Sequence, residues 1–516
     1  MSAAYKLEAA TGNDPFAISR ERFEAIVTQV STARSLASGH AEVEESLIEG
    51  GRGLLRQLFQ DHLDWRSVQE RRVEVVDQDG IRLVARRTAR RTLRSLLGPV
   101  VVTRSLYQGP GREGRAPADA GLRLCEDSYS MGVRRAVAQL CVQDAYAPAV
   151  ATLEQLAGVH VPQRQAEELV QRAAEDVRLF YCVRIPEPVP DAALLVLSFD
   201  AAGIAMRTES LRPTTREKAE SSPADPSFPP KLKTGQKPNR KRMAQVAAVY
   251  AIEPFVRSAD DILGELQSLT PLPNDNARPR RPRPVNKRVF ASIARSAADV
   301  INEGFREGLA RDPRRERRWV VLVDGNGDQI RAVRRAAERA GVAVTIVADL
   351  IHLIEYLWRA SYCFHAAGSD AARQWVVQRV RALLDGADPR QVAAGMRRSA
   401  TRRKVKDRQA VDRCAKYMQG LAPYMRYGAA LRDGLPIATG VIEGACRHLI
   451  RRRLDIGGAR WSTEGAEAIL LLRAVVSSGD FDDYWSFHEP LVFQHTHEAK
   501  YRGRIPNTRP VLRRVK

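Results

Sequence analysis

Apolar residues recur along this chain with different periods, and each change of period marks a change of structure. From residue 20 to 70 the spacing is helical: Phe23, Ile26 and Val27, then Val43, Leu47, Leu54, Leu55, Leu58 and Phe59, with a Ser/Gly-containing break near 36–39. Side chains three and four apart share one helix face, so these positions predict amphipathic helices. Between Val73 and Leu106 the pattern shortens into β-prone runs around Asp79-Gly80 and again at Val100–Leu106, which predicts a small antiparallel unit. GPGREGRAPADAG, 109–121, reads as a loop. The helical period returns at Ser128, with Val133, Ala136, Val137, Leu140 and Cys141 on one stripe. A helix at 151–157, Gly158 in a turn and a second helix opening near Pro162 give a helix-turn-helix pattern. In it Leu153, Leu156, Ala157 and Val161 pack inward, and Gln163, Arg164 and Gln165 face a DNA groove. The same pattern also serves as ordinary packing in helical domains.

The second half is built differently. ALLVLSFD, 193–200, is a near-continuous apolar run, the mark of a strand covered on both faces, and it ends on Asp200. Gly203 permits a turn, and IAMRT, 204–208, is expected to return as a second strand. Residues 213–243 form a basic, Pro-rich insertion expected to be mobile. MAQVAAVYAI, 243–252, is the next strand, and a loop PLPNDNARPRRPRPVNKR leads to a helix expected over 289–309. WVVLVDG, 319–325, is a buried strand ending on Asp324. A helix at 330–340 and the strand VAVTIVA, 342–348, ending on Asp349, complete the alternation. This predicts an α/β core with a mainly parallel sheet. Residues 349 to about 430 read as helix throughout. Then Ile442, Cys446, Leu449 and Arg453 mark a helix face, with Glu443 one step round from it and Arg447 and Arg451 on its side. Thr439-Gly440 and Gly457-Gly458 are the start and stop signals. The tail YRGRIPNTRPVLRRVK is expected to be basic and disordered.

Composition narrows the function. A chain of 516 residues holds two to four domains. Its net charge of +21 predicts a polyanionic partner, nucleic acid before an anionic membrane. Six Cys without a CxxC pair argue against a disulfide framework or a structural zinc site. MSAAYKLEAATGND carries no apolar signal core, and no run of 18 apolar residues occurs, so a soluble cytoplasmic protein without membrane contact is expected.

Two strand-end carboxylates in an Arg-rich chain, Asp200 and Asp324, suggest oxygen ligands for a divalent metal, with cations holding phosphates. Glu443 is the candidate third ligand, with a solvated surface carboxylate paired with Arg447 as the rival reading. Two ions a few Å apart would suit phosphodiester chemistry. VLSFDAAG at 196–203, VVLVDGNGDQI at 320–330, ADLIHLIEYLWRASYCFH at 348–365 and the long block GVIEGACRHLIRRRLDIGGARWSTEGAEAILLLRA at 440–474 resemble bacterial insertion-sequence DDE transposases of the Kra type. The similarity spans about residues 50–490. It implies an RNase H-like catalytic core with a helical insertion, preceded by a mostly helical DNA-binding region. It places the acidic triad on Asp200, Asp324 and Glu443, holding two Mg²⁺ ions with Mn²⁺ as the alternative. It also implies cleavage at element ends carrying terminal inverted repeats, strand transfer into target DNA, a homo-oligomer on DNA, and action at the bacterial nucleoid. Family members often carry a Cys pair in the region matching YQGPGREGRAPAD; this chain has none there, so no metal is assigned to it.

The expected domains are 1–125, helical with a small β unit; 126–185, helix-turn-helix-like; 190–350, the first part of the core; 351–434, the insertion; 435–480, the core's last helices; and 481–516, the tail. Asp349 competes with Asp324 as a ligand, but its place before a helix favours a cap. His352 and Glu355 read as a core histidine beside a surface glutamate, and Trp358, Tyr362 and Phe364 as aromatic packing. Arg447, Arg451 and Arg452 suit a phosphate backbone, with a solvated face as the rival. Trp461 either stacks on an unpaired base or plugs a helix junction. The rival functions are a nuclease or resolvase that cuts without joining, an inactive DNA-binding relative, and an RNA-associated scaffold.

Overall fold

Leu194 to Leu197 offer solvent no polar position and are fully covered, which fixes them in the middle of a sheet. They open strand β1, Leu194–Ala205. The structure is a computed structural model that describes residues 5–6, 14–221, 240–267, 281–456, 458–509 and 513–514. In it β1 pairs antiparallel with Lys241–Ile252 (β2), and β2 pairs antiparallel with Val285–Ser292 (β3). On its other side β1 runs parallel to Trp319–Val323 (β4), which is parallel to Val344–Ala348 (β5). The order across the sheet is β3-β2-β1-β4-β5. The fold is mixed α/β, as expected, but half of the pairings are antiparallel where a mainly parallel sheet is expected from the alternation. Parallel neighbours need a crossover. Here Ala297–Arg311 (α1) supplies it before β4 and Gly327–Ala340 (α2) before β5.

Further expectations are corrected. β1 does not turn at Gly203 but runs through it to Ala205, with Gly203 opposite Met243, so 204–208 is not a separate strand. Consequently Asp200 lies within the strand and does not end it. The helix expected over 289–309 divides into β3 and α1, because Val289, Phe290, Ala291 and Ile293 satisfy both periods; Ser296 and Asp299 form the capping box that fixes where the helix begins. The loop expected at 109–121 contains a short helix, Pro117–Gly121, with Pro117, Ala118 and Ala120 buried. The expected mobile insertion begins as a helix, Pro213–Glu220, and its residues 222–239 lie outside the described residues. Of the second Pro-rich loop, expected over 271–288, residues 271–280 also lie outside them, and 285–288 belong to β3.

The chain divides into two compact units, one of Met1–Phe180 with Asp482–Lys516 and one of Tyr181–Phe481. The second holds the sheet. There α1 lies on the face of Leu195, Leu197 and Phe199, and it lies close because Gly304 and Gly308 face the sheet. A Cβ on Gly308 would stand 2.5 Å from the Trp319 ring, and one on Gly304 would stand 2.9 Å from the Phe199 ring. After β5 come the helices Leu350–Ser361 (α3), Asp370–Leu384 (α4), Pro389–Arg402 (α5) and Gln409–Leu421 (α6), the all-helical stretch expected from 349 on. Gly440–Cys446 (α7) packs on β1 and β2, and Thr463–Ser478 (α8) packs on β3.

In the first unit Ala17–Val30 and His40–Val68 are the expected helices. A hairpin of two eleven-residue strands pairs Ala85–Ser95 with Gly98–Gln108, and its Leu93, Val100 and Val102 pack with Leu63 and Leu124. Tyr146–Ala157, Gly158 in left-handed conformation (φ 65°) and Gln163–Ala174 form the helix–turn–helix element. Leu153 and Val161 are buried as expected, but Leu156 is 69% exposed, because the buried stripe runs through Tyr146, Ala149 and Leu153. The tail is not disordered at its start: Tyr501 is buried against Val75, Leu83 and Tyr107, while 510–512 and 515–516 lie outside the described residues. Among the described residues no helix is long and apolar enough to cross a membrane.

Candidate active site

The parallel pairing of β1 and β4 sets Ser198 beside Leu322. Asp200 and Asp324 each lie two residues beyond that last pair, Asp200 still within β1 and Asp324 directly after β4. Asp200 Oδ1 accepts the Ala201 N–H at 2.6 Å, and Oδ2 accepts the Cys446 thiol at 3.2 Å. Cys446 is 3% exposed, and burial, reinforced by the Asp200 charge, pushes its thiol far up, so the sulfur stays protonated and donates. This contact carries the sequence logic onto the sheet. Cys446 lies one turn after Glu443 on α7, so the helix that bears the third carboxylate is tied to the first.

Asp324 is held from two sides. Its Oδ1 accepts the Asn326 N–H at 3.1 Å, and its carbonyl oxygen accepts the Tyr417 hydroxyl at 2.8 Å. Gly325 has φ 101°, a conformation that favours glycine, and a Cβ there would run into Leu421 and Tyr417. Asn326 then caps α2, accepting from the N–H groups of Asp328 and Gln329. The small residues after the aspartate thus form a tight strand-to-helix turn that presents one carboxylate.

Glu443 stands in the first turn of α7, 57% exposed, with Arg447 at 3.4 Å. Ile442, Cys446, Leu449 and Arg453 are all buried, so the face read from the sequence is the packed one. After Cys446 the helix widens into a π turn over Arg447–Arg451. Arg473 of α8 donates to the carbonyl oxygens of His448 and of Leu449, the latter at 3.1 Å, and so occupies groups that the widened turn leaves over. Burial lowers Arg473 to about 10. Such turns are frequent at functional sites.

Asp349 is a cap, as expected. Its side chain accepts the Ile351 N–H at 2.9 Å and the Thr439 hydroxyl, and burial pushes its carboxyl above the usual range. It therefore pins the start of α7 to the end of β5. His352 lies edge-on to Tyr356 and Tyr417, and Glu355 pairs with Arg359 at the surface. Phe364 stacks on Trp375 and Trp358 is partly buried, but Tyr362 is 47% exposed and is not core.

Of the residues read as DNA contacts, Gln163, Arg164 and Gln165 are exposed in the first turn of their helix, with Gln165 accepting the Tyr129 hydroxyl. Arg447, Arg451 and Arg452 are exposed. Trp461 takes the plug position, the second of its two expected roles: it is 7% exposed, its Nε1 donates to Leu454 O, and Arg453 covers its ring at 4.9 Å. Its backbone pairs with Ala205 and Arg207, which explains the burial. Two residues with roles here were not singled out from sequence, Cys446 as a donor and Tyr417. Cys446 was visible only as one position of an apolar stripe.

Among the described residues no group of three or more His, Cys, Asp or Glu is set to hold a metal ion as the side chains stand. The donor chemistry nevertheless fits one. Asp200 lies within β1, Asp324 directly follows the neighbouring β4 and Glu443 rides on a helix tied to Asp200, all with the hard oxygens that Mg²⁺ takes. Compared with protein-family models and with curated proteins, the chain gives no match.

Proposed function

We propose that the chain is a DDE transposase that cleaves DNA at insertion-sequence ends and joins those ends to target DNA. The observation that carries this reading is the parallel pairing of Ser198 with Leu322, two residues before Asp200 and Asp324, with α7 tied to Asp200 through Cys446. The sheet order and strand directions are compatible with the RNase H-like core that the sequence resemblance implies. Asp200, Asp324 and Glu443 would hold two Mg²⁺ ions, with Mn²⁺ as the alternative, and these would supply charge neutralisation and oxygen activation at a phosphodiester.

The remaining parts belong to the chain itself. The Asp324–Asn326 turn and the Cys446 thiol keep two carboxylates pointing from fixed backbone, so little reorganisation is needed when substrate arrives. Arg447, Arg451 and Arg452 offer positive charge beside the site for a phosphate backbone. Gln163, Arg164 and Gln165 read the terminal inverted repeats of double-stranded DNA, and a homo-oligomer brings two ends together. The test is incubation of the chain with Mg²⁺, a duplex carrying element ends and a target plasmid. Joined products are expected; cutting without joining assigns a nuclease or resolvase instead, and no cutting on any duplex overturns the reading.

A further inference from the structure

A cleft of about 530 Å³ lies between α2 and α6, beside the Asp324 turn and distinct from the three carboxylates. Four cations line it, Arg331 and Arg334 from α2 and Arg413 and Lys416 from α6, and all four are exposed. No acidic residue is among its lining residues. One of the four is neutralised directly, Arg331 by its ion pair with Asp328; Arg334 lies 5.5 Å from the centre of the Tyr424 ring, and Arg413 donates to the Gln409 amide oxygen at 3.0 Å. Like charges gathered around a concavity raise the local potential and attract an anion. The inner wall is aromatic, with Tyr356 and Tyr417 stacked at 4.4 Å and only partly buried. Tyr417 also joins the cleft to the site, since its hydroxyl donates to the Asp324 carbonyl. Cations along a backbone path and aromatic rings beside it are the elements that single-stranded nucleic acid requires. A volume of about 530 Å³ is enough for a nucleotide.

We infer that this cleft binds an unpaired DNA strand, its phosphates on Arg334, Arg413 and Lys416 and a base against the Tyr356–Tyr417 pair, next to the turn that carries Asp324. The inference rests on the transposase reading only for which strand arrives there. An opened element end would place its displaced strand in the cleft, and Tyr417 would report that occupancy to the Asp324 backbone.

The test uses the full chain without metal and a fluorescently labelled single-stranded oligonucleotide, read by anisotropy. Arg413→Ala/Lys416→Ala should weaken binding about tenfold or more. Its log affinity should fall less steeply with log salt by about 1.4, the share of two single-strand phosphate contacts. Tyr356→Leu should weaken binding about fivefold or more through lost stacking. Duplex affinity should stay within about twofold of wild type in each variant, which also verifies that the variants fold. Unchanged oligonucleotide binding overturns the inference, and so does an equal loss for duplex, which would mark a general basic surface. Competition by tripolyphosphate at equal concentration, or tighter binding of an RNA of the same sequence, overturns it as well. Asp200→Asn should bind the oligonucleotide normally, so a failure of the cleavage reading would leave this result standing, and the reverse.

Discussion

Glu467 offers a quantitative test of how the last helices are held on the sheet. It is 8% exposed on α8, and its carboxylate accepts the Ser292 hydroxyl at 2.7 Å and the N–H groups of Ile293 at 2.8 Å and Ala294 at 3.2 Å. One side chain thus closes the end of β3 and anchors the helix that follows the Glu443 segment. Glu467→Ala leaves two backbone donors without their acceptor, each costing about 1–3 kcal/mol, for a total near 3–5 kcal/mol. Glu467→Gln keeps one oxygen for the two N–H groups and loses the charge, at about 1–2 kcal/mol. Against a typical stability of about 5–15 kcal/mol, the alanine variant should be severely weakened. Urea unfolding followed by tryptophan fluorescence gives the ranking, and hydrogen exchange at Ile293 and Ala294 gives the location. An alanine variant within about 0.5 kcal/mol of wild type, or a glutamine variant worse than alanine, would refute the reasoning.

Gly308→Ala should destabilise the sheet unit by about 1–3 kcal/mol, because its Cβ must displace the Trp319 ring. Gly395→Ala on α5, where a Cβ meets nothing, should be neutral or slightly stabilising, and equal thermal shifts for the two would contradict the packing argument. His488 and His497 are buried, and burial lowers both imidazoles below their ordinary range even with Asp176 at 2.8 Å from His488. Such groups are neutral when folded and take up protons on unfolding, so stability is lost as pH falls through about 6.5. Urea midpoints at pH 7.5 and 5.5 should differ less in His488→Gln/His497→Gln than in wild type, and an identical difference would remove these histidines as the cause. Duplex affinity should fall steeply with salt, and replacing Gln163, Arg164 and Gln165 by alanine should abolish preference for element ends; a retained preference would exclude the helix-turn-helix as reader.

What the sequence made legible follows from how local the signal was. β4 is an unbroken apolar run and β1 and β5 are nearly so, and the stripe of Ile442, Cys446, Leu449 and Arg453 has one period only, so each appears near its expected place, with β1 running on past Asp200 to Ala205. The antiparallel half of the sheet was not legible, because strand direction is set by which neighbour closes the ladder and not by any residue of β2 or β3. Residues 289–293 satisfied both periods, and the choice fell to Ser296 and Asp299, whose capping box begins the helix only afterwards. Gly203 read as a turn, yet it lies flat under Lys241, since a strand tolerates glycine where a neighbour's side chain covers it. The strand-end reading holds for Asp324 and not for Asp200, and the cap role of Asp349 could be read from the helix after it. The Cys446 and Tyr417 contacts join segments 246 and 93 residues apart, a separation that no local pattern encodes.

The most direct measurement is Mg²⁺-dependent cleavage of DNA carrying element ends by Asp200→Asn, Asp324→Asn, Glu443→Gln and Asp349→Asn in parallel. An amide keeps the shape of each carboxylate but loses the charge. The first three should therefore each lose roughly a thousandfold in rate, equivalent to about 4 kcal/mol, while folding and duplex binding persist. Asp349→Asn should stay within about tenfold of wild type, because an amide oxygen still accepts from Ile351 and Thr439 can turn its hydroxyl to accept the amide N–H. Full cleavage by Glu443→Gln, or loss at Asp349 with retention at Asp324, would contradict the assignment.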